Sequence, residues 1–311
     1  MTTTNNTSAA TQHGQHHDRR HDRRRCRPAA RGDMSGTLWL VATPIGNLGD
    51  LPPRAVEVLA ACSLVCCEDT RRTGKLLAHA GIRVERLAVA NDHTETSRIG
   101  DMLSVLGDGH DVAIVTDAGT PGVSDPGERL VRAALDAGYV VSAVPGPAAV
   151  IMALTISGLP TARYVYEGFV PRSGRERTER LADIASETRT VVLYEAPHRL
   201  ERPMADLLAA CGPDRPVAVC RELTKLFEEV IRGTLGTVDI GTPRGEYVLV
   251  LGGAVPAQPD DISDDDVRGA LRDAIASGAS TRDAVASVTE QIRVPRKRVY
   301  ALAIELGVTQ R

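Results

Sequence analysis

The chain has 311 residues, 42% of them hydrophobic and only 3% aromatic, and 37 Lys and Arg against 40 Asp and Glu give a net charge of -3. The length suits two or three domains, cores have to be built from Ala, Val, Leu and Ile, and the lack of any run of about 20 apolar residues excludes a membrane-spanning helix. Residues 1–33 carry +4 and the remainder -7, an acidic body that argues against indiscriminate binding of nucleic acid.

Residues 1–33 are rich in Thr, Asn, His, Arg and Asp and have no apolar periodicity. They read as a disordered arm, 1–36, without the apolar centre of a secretory signal. Its His13, His16, His17 and His21 read as a solvated tail rather than a metal site, and Met34 is a second candidate start. From Thr37 short apolar strands alternate with helices. Strands are predicted at 38–42, 64–67, 86–90, 112–115 and 139–143. Pro52-Pro53 opens a first helix with Val56, Leu59 and Ala60 on one face, and further helices are predicted at 72–79, 96–106, 126–137 and 147–156. Near-continuous apolar strands between helices argue a doubly wound, mostly parallel sheet, the first α/β domain over 37–158.

A second α/β domain, 159–252, is predicted with strands at 163–167, 190–194, 217–221, 227–233 and 246–251 and helices at 174–186 and 198–210. Its late strands adjoin one another, so its sheet is mixed. A linker, 253–262, leads to a small helical domain, 263–311, with helices at 264–276, 281–290 and 295–306. Ser280 is placed to cap the second of these and Pro295 to open the third. The third begins with Arg296, Lys297 and Arg298, just after Arg293. That pattern fits a helix-turn-helix-like phosphate contact and a solvated helical bundle equally.

Chemistry-bearing residues gather in loops that follow strands. Thr116–Gly127, T-D-A-G-T-P-G-V-S-D-P-G, holds three glycines and two prolines between an apolar strand and a periodic helix. Open α/β sheets bind ligands at such crossings. Other such loops are 43–50, 68–71, 144–147, 167–172, 194–199 and 221–225. None is G-x-G-x-x-G, and Thr73-Gly74-Lys75 lacks the upstream glycine and the Ser/Thr of a P-loop. G-x-S-x-G and H-E-x-x-H do not occur. Cys26, Cys62, Cys66, Cys67, Cys211 and Cys220 form no C-x-x-C pair and read as reduced, mostly buried thiols of a cytosolic protein, with no metal site. What remains is a site of backbone ringed by carboxylates and guanidinium groups, suited to a neutral-to-cationic nucleoside-like cofactor.

The motifs A-T-P-I-G-N-L, C-E-D-T-R, D-A-G-T-P-G-V-S-D-P-G, V-P-G-P, G-F-V-P-R, Y-E-A-P-H-R, R-E-L-T-K and E-E-V-I-R-G-T-L follow in that order across about residues 37–252. In this the chain resembles the ribosomal RNA small subunit methyltransferase I family, a branch of the tetrapyrrole methylases. The resemblance implies a two-domain tetrapyrrole-methylase-like α/β fold, a cytoplasmic homodimer, and S-adenosylmethionine held between the domains. It implies 2'-O-methylation of a cytidine in the decoding region of 16S rRNA, with the small ribosomal subunit as partner. Cofactor contacts are implied at Pro44 and Gly46, at Asp117, Gly119, Thr120, Pro121 and Val123, and at Pro145, Gly146, Ala148 and Ala149. Many members of the superfamily carry G-D-P where this chain has Gly119-Thr120-Pro121, and Asp117 is the candidate replacement carboxylate.

A ribose hydroxyl is a poor nucleophile until a base takes its proton. Glu68, Asp69, Glu195 and Glu222 are the candidates, with His198 beside them. Each carboxylate also has an ion-pair reading: Asp69 with Arg71 or Arg72, Glu195 with Arg199, Glu222 with Arg221 or Lys225. RNA contacts are expected from Arg71, Arg72, Arg172, Arg175, Arg177, Arg180, Arg199, Arg221 and Lys225, and from Arg296, Lys297 and Arg298. Phosphate contacts of this kind position a strand without reading its sequence. Two alternatives share the fold: a methylase of a tetrapyrrole carbon, which needs neither E-D-T-R nor R-E-L-T-K, and an RNA-binding assembly factor without turnover.

Overall fold

A computed structural model describes residues 35–255, 262–292 and 294–306 of the chain. The histidines and Cys26 of the arm, Met34, most of the linker and Arg293 lie outside the described residues. Two compact units emerge: one runs to Thr43 and resumes over Leu51–Gly146, and the other takes Pro44–Asp50 and everything from Pro147.

The first unit is an all-parallel sheet of β1 (Thr37–Val41), β2 (Leu64–Cys67), β3 (Arg86–Val89), β4 (Val112–Ile114) and β5 (Val140–Val144), in the order β3-β2-β4-β1-β5. Side chains of a strand alternate between faces, and here helices cover both. Trp39, Val41, Val65, Cys67 and Ala113 pack with Leu77 of α2 (Thr70–His79) and with α1 (Pro53–Ala61). Leu38, Leu64, Cys66, Val112 and Ile114 pack with Met102 and Leu106 of α3 (Glu95–Gly107) and Leu130 and Ala134 of α4 (Glu128–Asp136). The inner face of α1 is Ala55, Val58 and Leu59 rather than Val56, Leu59 and Ala60, because the apolar stripe starts one residue earlier and leaves Ala60 exposed. Burial pushes the thiols of Cys62 and Cys66 up to about 12, so both are protonated and unreactive. Cys67 and Cys220 are buried as well, and Cys211 only partly.

The second unit holds β6 (Tyr164–Phe169), β7 (Thr190–Glu195), β8 (Pro216–Arg221), β9 (Glu229–Thr234) and β10 (Tyr247–Leu251), ordered β6-β7-β10-β8-β9. The β6–β7 pair is parallel and the other pairs are antiparallel, which makes the sheet mixed. On one face α5 (Ala149–Ile156) sets Val150, Ala153 and Leu154 against Val192, Ala218, Cys220 and Val250. This helix therefore belongs with the second sheet, and the units divide at Gly146–Pro147 rather than after residue 158. The other face packs with α6 (Gly174–Ser186) and α7 (Glu201–Cys211) through Ile184 and Leu207. α7 starts three residues later than the predicted 198, because Pro197–Arg199 winds as a tighter 3-10 turn, with Arg199 N donating to the Ala196 carbonyl at 3.0 Å.

Helices α8 (Asp264–Ala276), α9 (Thr281–Ile292) and α10 (Arg296–Glu305) share a core of their own built from Val267, Leu271, Val285, Val288, Val299 and Leu302. Ser263 and Asp266 form a reciprocal capping box at α8, and Ser280 Oγ accepts from Asp283 N at 3.2 Å to cap α9. No described helix is long and apolar enough to cross a membrane.

Candidate active site

In the first unit the loop after β4 is pinned at both ends. At its entry Thr43 and Gly119 exchange backbone hydrogen bonds of 2.9 and 3.0 Å, and Thr43 Oγ1 donates to the Thr116 carbonyl at 3.1 Å. Gly119 sits at φ +87°, which a side chain would strain. At its exit the buried Glu95, in the first turn of α3, accepts with Oε1 from the amides of Gly127, Arg129 and Leu130 at 3.0, 3.0 and 3.2 Å. A carboxylate is thereby set against the N-terminus of α4. Sequence reasoning missed Glu95, whose single signal was an acidic residue in a first helical turn. Between the pins Val123 N donates to the Thr120 carbonyl and Gly122 N to that of Pro126, so Thr120, Pro121 and Val123 share one tight turn. After β5, a Cβ on Gly146 would come within 2.9 Å of Ala42 Cβ, so the Pro145-Gly146 turn lies against the end of β1.

Two carboxylates meet at this loop. Asp117 N donates to Glu68 Oε2 at 3.1 Å, and the Arg72 guanidinium lies 3.3 Å from Asp117 Oδ2. Burial pushes the Glu68 carboxyl above its ordinary value against the pull of the Asp117 amide. Burial likewise raises Asp117, with Arg72 opposing. Asp117 Oδ1 is buried with no hydrogen-bond partner among the described residues. A buried acceptor left unpaired costs about 1–3 kcal/mol, which a ligand bringing a hydroxyl or ammonium donor would recover. S-adenosylmethionine brings both, so these residues fit it. Asp69 is turned the other way: it caps α2, accepting from Arg71 N at 2.8 Å and from the Arg71 guanidinium at 3.2 and 2.8 Å, and the guanidinium holds it well below the usual carboxylate range.

The second unit contributes the remaining candidates. Ile45 joins the α5 cluster, and a Cβ on Gly46 would strike the Lys225 side chain and lie 2.8 Å from Thr224 Oγ1, so glycine alone fits there. Ala148 and Ala149 form the entry to α5. In R-E-L-T-K, Glu222 and Thr224 adopt φ of +49° and +67°. Left-handed backbone at such residues costs on the order of 1–3 kcal/mol each and gathers at functional sites. The turn is held by Lys225 Nζ, which donates to Glu222 Oε1 at 2.9 Å and Glu246 Oε2 at 2.8 Å. Burial pushes the Glu222 carboxyl up, but Lys225 and the Glu246 amide outweigh it and leave it below its ordinary value. Arg221 pairs with Glu229 at 3.0 Å, not with Glu222. Glu195 is buried at the end of β7: Oε1 accepts from Ala196 N at 2.9 Å and lies 3.4 Å from Arg199 Nε, while Oε2 has no partner among the described residues.

The basic residues divide in the same way. Arg180 pairs with Glu167 at 2.7 Å, Arg175 with Glu179 at 2.6 Å, and Arg298 with Asp264 at 2.7 Å, which ties α10 to α8. Arg71, Arg172, Arg296 and Lys297 are exposed.

The family model for Tetrapyrrole (Corrin/Porphyrin) Methylases matches residues 37–239. The chain is 45% identical over 275 residues to ribosomal RNA small subunit methyltransferase I of Synechocystis sp., covering 87% of this chain and 98% of that one. It is 40% identical over 276 residues to the protein of the same name from Escherichia coli O157:H7, covering 87% and 95%. Among solved structures the methyltransferase CobJ matches at TM-score 0.56 and 19% identity, over 72% of this chain and 97% of that one. Cobalt precorrin-4 methyltransferase CbiF matches at 0.52 and 18%, over 70% and 94%. Those two likenesses concern the fold. With relatives aligned over nearly their whole length, the chain belongs to the ribosomal RNA small subunit methyltransferase I family, S-adenosylmethionine-dependent enzymes that methylate small-subunit rRNA.

Proposed function

We propose that the protein methylates the ribose 2'-oxygen of one cytidine in the decoding region of 16S rRNA, in the cytoplasm, as a homodimer acting on the small ribosomal subunit. The observation that carries this reading is the Glu68–Asp117 pair: a carboxyl raised by burial beside a buried carboxylate oxygen that lacks a donor. A ribose oxygen needs its proton removed, and a carboxyl tuned towards neutrality serves that purpose better than one held far below it. Glu68 is the proton acceptor. Asp69 and Glu222 are committed to Arg71 and Lys225 and act as supports, and Glu195 keeps one oxygen near Arg199 at the end of β7.

When bound, S-adenosylmethionine supplies a methyl group on an already activated sulfonium. Asp117 Oδ1 would accept from its donors, and the pinned loop 116–127 would offer backbone at Gly119 to Val123 with little reorganisation left to pay in binding. Alignment of the two reacting partners then contributes much of the acceleration. Exposed Arg172, Arg296 and Lys297 are available to phosphates, whereas Arg71 is held by Asp69.

Mass-spectrometric nucleoside mapping of 16S rRNA from cells with and without the gene tests this. The expected result is loss of 2'-O-methyl from a single decoding-region cytidine, restored by the wild-type chain. An unchanged RNA would move the substrate to a tetrapyrrole or another RNA.

A further inference from the structure

Within the second unit, β6 and β7 run parallel, so their carboxyl ends open on the same edge of the sheet. The segments that follow them line an open hollow of about 420 Å³, formed by Arg172, Arg177, His198, Arg199, Glu201 and Arg202 together with Pro203. Four guanidinium groups around one hollow repel each other unless something negative is shared among them.

Two of the four are fixed. The buried Arg177 sets Nε and Nη2 on Asp206 at 2.9 and 2.5 Å and Nη1 on the Pro171 carbonyl at 2.6 Å. Arg199 donates from Nη2 to the Val170 carbonyl at 2.8 Å and faces Glu195. The other two are not satisfied among the described residues. Arg172 is exposed and makes no hydrogen bond or ion pair among the described residues. Among the described residues Arg202 reaches no carboxylate closer than Asp206, at 3.9 Å, which Arg177 already holds. Asp206 and Glu195 offset the fixed pair, so the lining keeps Arg172 and Arg202 against Glu201 alone. Helices α6 and α7 both begin at this edge and add the positive ends of their dipoles.

We propose that this cavity binds a phosphodiester of the RNA substrate, with Arg177 and Arg199 as its fixed wall and Arg172 and Arg202 closing on the phosphate oxygens. The planar fork of arginine matches phosphate geometry, and the volume, larger than one phosphate requires, admits the adjoining sugar as well. The inference rests on the rRNA reading given above and deepens it by naming the contact.

The test compares wild type with the double variant Arg172→Ala, Arg202→Ala and, as a surface control, Arg132→Ala. Affinity for small ribosomal subunits is measured across salt concentrations, alongside affinity for S-adenosylmethionine and the melting temperature. The double variant is expected to bind subunits about tenfold or more weakly, with its log–log salt slope reduced by about 0.7–0.9 per lost contact. Its cofactor affinity and melting temperature should match those of wild type, and the control should match wild type throughout. A double variant with wild-type affinity and slope, in an enzyme that still methylates the subunit, would overturn the proposal alone. Wild type that binds no subunit would overturn the rRNA reading and the proposal with it. Titration of wild type with inorganic phosphate supplies a further arm: saturable binding that the substitutions abolish, with subunit affinity unchanged, would make this a small-anion site and overturn the RNA assignment.

Discussion

Glu68 and Asp69 are neighbours in sequence and stand in opposite surroundings. Asp69 faces outward onto Arg71 and caps α2, whereas Glu68 turns inward and takes the Asp117 amide. Nothing in C-E-D-T-R distinguishes them, because the side to which a residue turns after a strand depends on the neighbouring strand, and β4 lies more than forty residues away in the chain. The difference has a kinetic signature. Glu68→Gln should lower the single-turnover rate of methyl transfer about 10²- to 10⁴-fold while cofactor affinity holds. The sign of the pH effect follows from the raised carboxyl. A proton acceptor works when ionised, so in wild type the rate climbs with pH through a window above the usual carboxylate value of about 4.3 and is lost on acidification. Residual activity of the Gln variant should lack that acid limb. A limb retained unchanged would remove Glu68 from the role.

At the scale of elements, the strands of the first sheet were legible because parallel strands buried on both faces read as continuous apolar runs, and each was found within two residues of its place. What the pattern hid was partnership. α5 follows β5 in sequence yet packs on the second sheet, and an apolar helix carries no mark of which sheet it will cover. The left-handed turns at Glu222 and Thr224 were equally hidden, since neither residue is a glycine. Glu95 is the plainest case, one carboxylate oxygen serving three amides at the junction of a loop and α4. Hydrogen bonds to a charged group are worth about 1.5–3 kcal/mol and do not sum when they share an acceptor. Glu95→Ala should therefore destabilise the protein by about 3 kcal/mol, read from the midpoint of urea denaturation. Glu95→Gln, which keeps one acceptor oxygen, should lose less. Equal losses would mean that the charge, not the acceptor, holds the loop.

On the scale of the whole molecule, α8, α9 and α10 bury their apolar residues among themselves. Deleting residues 262–311 should accordingly leave S-adenosylmethionine affinity intact and weaken binding to small ribosomal subunits, measured by sedimentation, since exposed Arg296 and Lys297 are lost with the helices. Matching losses of both affinities would show that the helices belong to the catalytic fold. The allotment of Pro44–Asp50 to the second unit, while β1 and α1 on either side belong to the first, means that three peptide bonds join the units rather than one. During synthesis Gly46 leaves the ribosome about 180 residues ahead of Thr224 and Lys225, against which it packs. At about 5–20 residues per second that segment waits on the order of 10–40 seconds for its neighbours to exist. The newborn first unit can close its sheet while this piece hangs open. A chain cut between Gly146 and Pro147 would still carry, on its N-terminal fragment, seven residues that the other fragment needs in order to be whole.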